Sequence, residues 1–145
     1  MKIELEPIGF VRSSVKQPQQ GGWKEVVSEI VLEKEYEEGL RGLEDFSHIV
    51  VVFSMDKVKT CELTHRPQGR VDVPEVGIFA CRCPARPNHL AISTVELLKM
   101  EKNVLKVKGL DALDGTPVLD IKPYTPQYDI AKSARVPEWI NKLKY

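Results

Sequence analysis

The stretch that decides the fold is His48-Ile49-Val50-Val51-Val52-Phe53-Ser54-Met55, a β-branched run with no polar residue interrupting its apolar centre. A strand with one wet face alternates apolar and polar side chains; a strand covered on both faces does not, so the run predicts a central buried strand. Other strand signals lie on either side of it. Ile3 to Arg12 alternates, with Gly9 placed for a bulge. Val26 to Leu32, Val76 to Cys83, a segment within His89 to Met100, and the alternating Asn103 to Leu110 each predict a strand. Pro117 to Ile121 predicts a short one that runs into Lys122-Pro123-Tyr124. Breakers separate them: the Ser/Gln/Pro/Gly-rich Ser13 to Gly22, the Pro84 to Asn88 turn, and Asp111 to Thr116 with its Asp114-Gly115 pair. Glu33 to Gly42 predicts one or two helical turns ending at Gly39 or Gly42, and Asp56 to Pro74 a long mobile loop. In the tail, Pro137 to Lys144 carries helix signals with Trp139, Ile140 and Leu143 on one face. Six or more short strands between Gly/Pro turns, with no alternating helices to cover a parallel sheet, predict an all-β barrel or sandwich.

Size and composition agree with one domain spanning residues 1–145. A chain of 145 residues with 42% hydrophobic and 29% charged residues can bury a core without disulfides or metals. No apolar run reaches the roughly 20 residues of a membrane helix, and Met1 to Glu6 alternates charge with apolar side chains, unlike a signal peptide. Cys61, Cys81 and Cys83 cannot all pair within one chain, which points to a reducing, cytoplasmic compartment. Basic and acidic residues balance at 21 each, so binding to a nucleic acid would require the basic residues to be grouped on one face.

Three clusters carry chemistry. In Gly77-Ile78-Phe79-Ala80-Cys81-Arg82-Cys83-Pro84-Ala85-Arg86-Pro87-Asn88, two arginines and an asparagine reach a proline-fixed turn. The guanidinium forks could hold one anionic group, or they could be solvated surface charges. In Leu110 to Tyr124, Asp111, Asp114 and Asp120 stand with Lys122 and Tyr124. Asp120 and Lys122 share a strand face, as a surface ion pair or as the polar wall of a pocket. In Gly42 to His48, Ser47 and His48 are strand neighbours expected on opposite faces, poorly placed as nucleophile and base. The spacing of Cys81 and Cys83 matches no standard zinc site, so no metal is expected. There is no GxGxxG, P-loop, HExxH or GxSxG.

The clusters occur in an order that resembles one family. Gly39 to His48 is similar to its GLxGLExFSH segment, Gly77 to Asn88 to its GVFATRSPxRPNPIGLS segment, and Leu110 to Tyr124 to its LDLLDGTPVLDIKPY segment. Ile8 to Ser13 resembles its opening IGxIxSP. The family is the TsaA-like, TrmO-type group, and the resemblance runs from about Ile8 to Asp129, leaving 130–145 as a tail. Departures are Cys81 and Cys83 flanking Arg82, His89 and Ala91 in place of a proline and a glycine, and Asp56 where a histidine is common.

The resemblance implies a small β-barrel, active as a homodimer, that takes S-adenosylmethionine as cofactor and methylates N6 of threonylcarbamoyladenosine beside the anticodon of tRNA. Carried over by position, it implies a cofactor site built from Gln19, Gln20, Gly21 and Gly22, from Asp56 and Lys57, from Arg82 with Leu97, and from Asp120, Ile121, Lys122 and Pro123. Arg86, Asn88 and Tyr124 are the expected substrate contacts. Asp111, Asp114 and Asp120 are candidates for the proton acceptor, with nothing in the sequence to choose among them.

Overall fold

The computed structural model describes residues 1–145 and is built around a closed barrel of six antiparallel strands. They are β1 (Gly9–Arg12), β2 (Val27–Leu32), β3 (His48–Ser54), β6 (Leu90–Glu101), β7 (Val104–Lys108) and β8 (Pro117–Pro123), arranged in the order β1-β2-β7-β6-β3-β8. A separate two-stranded piece pairs β4 (Thr64–His65) with β5 (Val76–Gly77). As the sequence predicts, β3 lies between two neighbours, β6 and β8. Ile49, Val51 and Phe53 point into the barrel and meet Val11, Ile30, Val95, Leu105, Val107 and Val118, which together fill it. Replacing Phe53 with Ala would cost about 3–5 kcal/mol in such a core.

Two bulges set the register. Leu98 is the extra residue on β6 where its pairing with β7 shifts. On β8, Phe53 pairs with Val118 and Val52 with Asp120, which leaves Leu119 as the extra residue. Because side chains alternate, this insertion turns Asp120 outward and Ile121 inward against the core.

Four expectations are corrected. The first strand is confined to Gly9–Arg12, and Ile3 and Leu5 before it lie exposed with no partner strand. Gly9 is no bulge: it pairs with Leu32 so closely that a Cβ there would sit 2.3 Å from the Val31 carbonyl oxygen. The strand expected over Val76 to Cys83 stops at Gly77, because its partner β4 is only two residues long; the chain then turns in a 3-10 turn, Ile78–Ala80. Asp56 to Pro74 is a folded platform rather than a bare loop, holding β4, a 3-10 turn at Pro67–Gly69, a buried Pro67 and a buried Val73. The tail forms a 3-10 turn, Glu138–Lys142, with Trp139, Ile140 and Leu143 half-buried, and a one-turn helix α1 (Pro126–Asp129) precedes it. No helix is long and apolar enough to cross a membrane.

Candidate functional site

The outer face of β8, β3 and β6 brings the sequence-predicted residues closest together. Asp120 of β8 lies beside Val52 of β3, which lies beside Ile92 of β6, in one row across three strands. The next row is Lys122, Val50 and Thr94, and the Lys122 amine sits 2.9 Å from the Asp120 carboxylate. The other Asp120 oxygen accepts the Ile121 N–H at 2.9 Å. Ile92 is 54% exposed and Leu90, in the same outward phase, 41%. The face is therefore half polar and half apolar.

Loops close one end of this face. Ser54 at the end of β3 pairs with Leu90 at the start of β6, so Asp56 and Lys57 emerge next to the segment that carries Arg82, Arg86 and Asn88. The two loops are joined by three bonds: Met55 N–H to the His89 carbonyl (2.8 Å), Glu62 N–H to the Ala85 carbonyl (2.9 Å), and His89 Nε2 with the Thr60 carbonyl (2.7 Å). Arg86 spends one nitrogen on the carbonyls of Cys81 (2.7 Å) and Cys83 (3.2 Å), fixing the turn. Arg82 and Asn88 are exposed, and their side chains pair with nothing in the chain. Burial pushes the Cys83 thiol pKa up.

The three aspartates are not brought together. Asp114 accepts the Ser13 N–H at 2.9 Å and the Lys16 amine at 2.8 Å, and the Lys57 amine reaches its carbonyl at 3.4 Å. The Lys16 amine, then the Ser13 N–H, hold the Asp114 carboxyl below the usual carboxylate range. Asp111 accepts the Ser93 hydroxyl with one oxygen; its other oxygen has no partner. Asp120 stands on the outer barrel face described above.

Several predicted residues sit elsewhere. Leu97 points inward onto the core, and its N–H donates to the Ser47 carbonyl (2.8 Å) at the far end of β3. Tyr124 is also at that end: its N–H donates to the His48 carbonyl, and its ring stands edge-on to the His48 ring, centroids 6.3 Å apart. Gln19 to Gly22 lies against the platform and the tail, tied by Gln20 Nε2 to the Gln68 carbonyl (3.2 Å). Ile92 and Val52 are members of the face that the sequence reading did not name. The readable signal was the phase of Leu90-Ala91-Ile92-Ser93-Thr94-Val95, which puts Ile92 opposite the core-facing Val95. Ser47 and His48 also differ from expectation: the Ser47 hydroxyl lies 2.7 Å from His48 Nδ1. Ser47 precedes the strand, so strand alternation does not govern it.

No group of three or more His, Cys, Asp and Glu side chains is arranged to hold a metal ion. Two surface concavities, of about 650 and 380 Å³, open against β1, β2 and the β6–β7 turn; neither is lined by Asp120, Ile92 or Arg82.

Comparison with known proteins adds to this geometry. The sequence profile of the tRNA-methyltransferase O N-terminal domain matches residues 10–130. An S-adenosyl-L-methionine-binding protein of Archaeoglobus fulgidus is 45% identical over 129 residues, covering 86% of this chain and 91% of that relative. The tRNA (adenine(37)-N6)-methyltransferase of Mus musculus is 37% identical over 109 residues, 74% of this chain but 25% of that protein. The crystal structure of TrmO from Pseudomonas aeruginosa aligns with a TM-score of 0.75 at 33% identity, covering 93% of this chain and 62% of that one. This chain thus spans less than two thirds of the solved TrmO chain. The chain belongs to the family of the tRNA-methyltransferase O N-terminal domain, a family of S-adenosylmethionine-dependent methyltransferases.

Proposed function

We propose that this protein methylates N6 of threonylcarbamoyladenosine beside the anticodon of tRNA, in the cytoplasm and as a homodimer, with residues 8–129 as the working domain. The observation that carries the reading is the outer-face row of Asp120, Val52 and Ile92, with the Asp56-Lys57 segment leaving the end of β3 beside the start of β6, in a chain of this family. The residues suit S-adenosylmethionine. Val52 and Ile92 offer an apolar seat for a purine, Asp120 an acceptor for an ammonium or ribose hydroxyl, and the unpaired Arg82 a partner for a carboxylate. When bound, that cofactor supplies an electrophilic methyl group with a good leaving group.

The chain's own residues then position and deprotonate. Holding the nucleophile in line supplies much of the rate in such a displacement. The N6 proton needs an acceptor. Of the three aspartates only Asp120 lies on the outer face: Asp111 keeps one oxygen free but is bonded to Ser93, which opposes Val51 in the inward phase of β6, and Asp114 is bonded to the segment after β1. Arg82, Asn88 and the remaining nitrogens of Arg86 suit the threonyl carboxylate or a tRNA phosphate. Exposed Leu63 (73%) and Phe79 (80%) lie in the same loop region, and a second subunit packed there would wall in the face.

The test is incubation with S-adenosylmethionine and tRNA that carries threonylcarbamoyladenosine, followed by nucleoside mass spectrometry. A product heavier by one methyl group is expected, and tRNA without the carbamoyl group should give none. A second reading, a cofactor-binding protein or small-molecule methyltransferase that does not act on tRNA, is favoured by the name of the Archaeoglobus relative, which mentions binding alone. Tight S-adenosylmethionine binding with no tRNA product would select it.

A further inference from the structure

The outer face of β8, β3 and β6 continues for two rows beyond Asp120, Val52 and Ile92. The second is Lys122, Val50 and Thr94, and the third is Tyr124, His48 and Glu96. Side chains on one face of a strand recur at every second residue. At about 3.3 Å per residue, the His48 row lies about 13 Å from the Asp120 row, room for a methyl donor and an acceptor nucleobase side by side. Loops close the face at its Leu90 end, so a large substrate reaches it from the His48 end.

His48 is held in place by its neighbours. The Ser47 hydroxyl lies 2.7 Å from Nδ1. Ser47 is itself fixed, because its carbonyl accepts the Leu97 N–H at 2.8 Å. The Tyr124 ring stands edge-on to the imidazole, and the Tyr124 N–H donates to the His48 carbonyl at 3.1 Å. Nε2 makes no hydrogen bond within the chain, and the residue is exposed. The bond made by one ring nitrogen decides the form of the other. With Nδ1–H donating to the Ser47 oxygen, Nε2 keeps its lone pair and is free to take a proton.

The other ionisable groups of the face suit that task less well. Asp120 has one oxygen on the Lys122 amine and the other on the Ile121 N–H, and Lys122 is spent on that same carboxylate. Glu96 stands in the His48 row with no bond to orient its carboxylate, and a catalytic group acts efficiently when it is held in position.

We propose that His48, oriented by Ser47, is the proton acceptor of the methyl transfer. This rests on the proposed function and on the outer face as its site. The N6–CH3 bond forms as the S–CH3 bond of the donor breaks, its electron pair staying on sulfur. The N6 proton passes to His48 Nε2, and the exposed imidazolium returns it to water. Histidine is the side chain most often used for such transfers.

The test compares wild type with His48→Gln, which removes the basic nitrogen, with Ser47→Ala, which leaves the imidazole unheld, and with Glu96→Gln. S-adenosylmethionine binding is read by calorimetry, and kcat across a pH range with saturating tRNA that carries threonylcarbamoyladenosine. His48→Gln should lower kcat about a hundredfold or more, with the S-adenosylmethionine Kd within about twofold of wild type. The groups facing the ring are Ser47, Tyr124 and Lys122 of β8, and Glu96 of β6. Wild-type kcat should fall as the pH drops and the imidazole takes up a proton, and His48→Gln should lose that fall. Ser47→Ala should keep the pH dependence and lower kcat about fivefold, the worth of one hydrogen bond. Glu96→Gln should stay within about threefold of wild type. A His48→Gln variant that keeps its kcat, that loses affinity alone, or that keeps the acid fall would overturn the assignment. So would a large loss of kcat in Glu96→Gln with His48→Gln still active. A wild type that binds S-adenosylmethionine and yields no methylated nucleoside sinks the proposed function itself, whereas an active wild type with an equally active His48→Gln sinks this assignment alone.

Discussion

Both carboxylate oxygens of Asp114 have partners, one in the loop after β1 and one on the Lys16 side chain. The tie continues through Asp114 N–H to the Val15 carbonyl and Gly115 N–H to the Val11 carbonyl, so this aspartate clips the Ser13–Lys16 segment to the turn before β8. Its folded pKa is lowered, chiefly by the Lys16 bond and then by the Ser13 N–H. A depressed carboxylate stabilises the fold above its unfolded value of about 3.9, and that contribution is lost as pH falls through the lower folded value. Urea unfolding of wild type and Asp114→Asn should therefore differ above pH ~5 and converge as the pH drops below ~4. A gap in midpoint that persists undiminished at acid pH would mean the clip is not ionic. Asp111, by contrast, has only the Ser93 hydroxyl as a partner.

Strands were legible in the sequence where their own pattern decides them and illegible where a partner does. The apolar run at His48–Met55 and the alternation at Asn103–Leu110 survive as β3 and β7, because burial on two faces or one leaves a direct imprint. Ile3 to Pro7 alternates equally well but finds no strand to pair with, and Val76 onward loses its partner after two residues. The shared face of Asp120 and Lys122 was readable from strand periodicity, whereas the junction of Gln68 with Gln20 and Lys144 was not, since it joins segments separated by 48 and 76 positions. The bulge at Leu119 falls between these cases. The apolar pair Val118-Leu119 breaks the alternation, but only the register against β3 shows that it turns Asp120 outward. Deleting Leu119 would remove the bulge and leave Asp120 opposite Val52 and Ile121 opposite Val51, so both side chains keep their faces in an unbroken ladder. Denaturant titration should then show a deletion variant that stays folded, as Leu119→Ala does. A deletion variant that is barely folded would mean that this register does not set the outward direction of Asp120.

At the scale of the whole molecule, the balanced charge conceals segregation: Glu33 to Asp45 holds six carboxylates against Lys34 and Arg41, so the remaining surface carries the basic excess a tRNA would meet. An open sheet face covers one side of a nucleoside, whereas small-molecule sites commonly bury about 70–90% of their ligand. The row of Asp120, Val52 and Ile92 lies on such a face, and Ile92 and Leu90 leave apolar surface on it. A second copy laid over this face would supply the wall and bury that surface together. Ile92→Glu should therefore change assembly and cofactor binding while barely affecting folding, because an exposed substitution away from the core moves stability by about 0.5 kcal/mol or less. Sedimentation equilibrium should give a dimer for wild type and a monomer for Ile92→Glu, the variant binding S-adenosylmethionine at least about tenfold more weakly, since like charges facing each other across the joint repel. A monomeric wild type that still binds the cofactor tightly would place the missing wall within one chain and remove the need for a partner subunit.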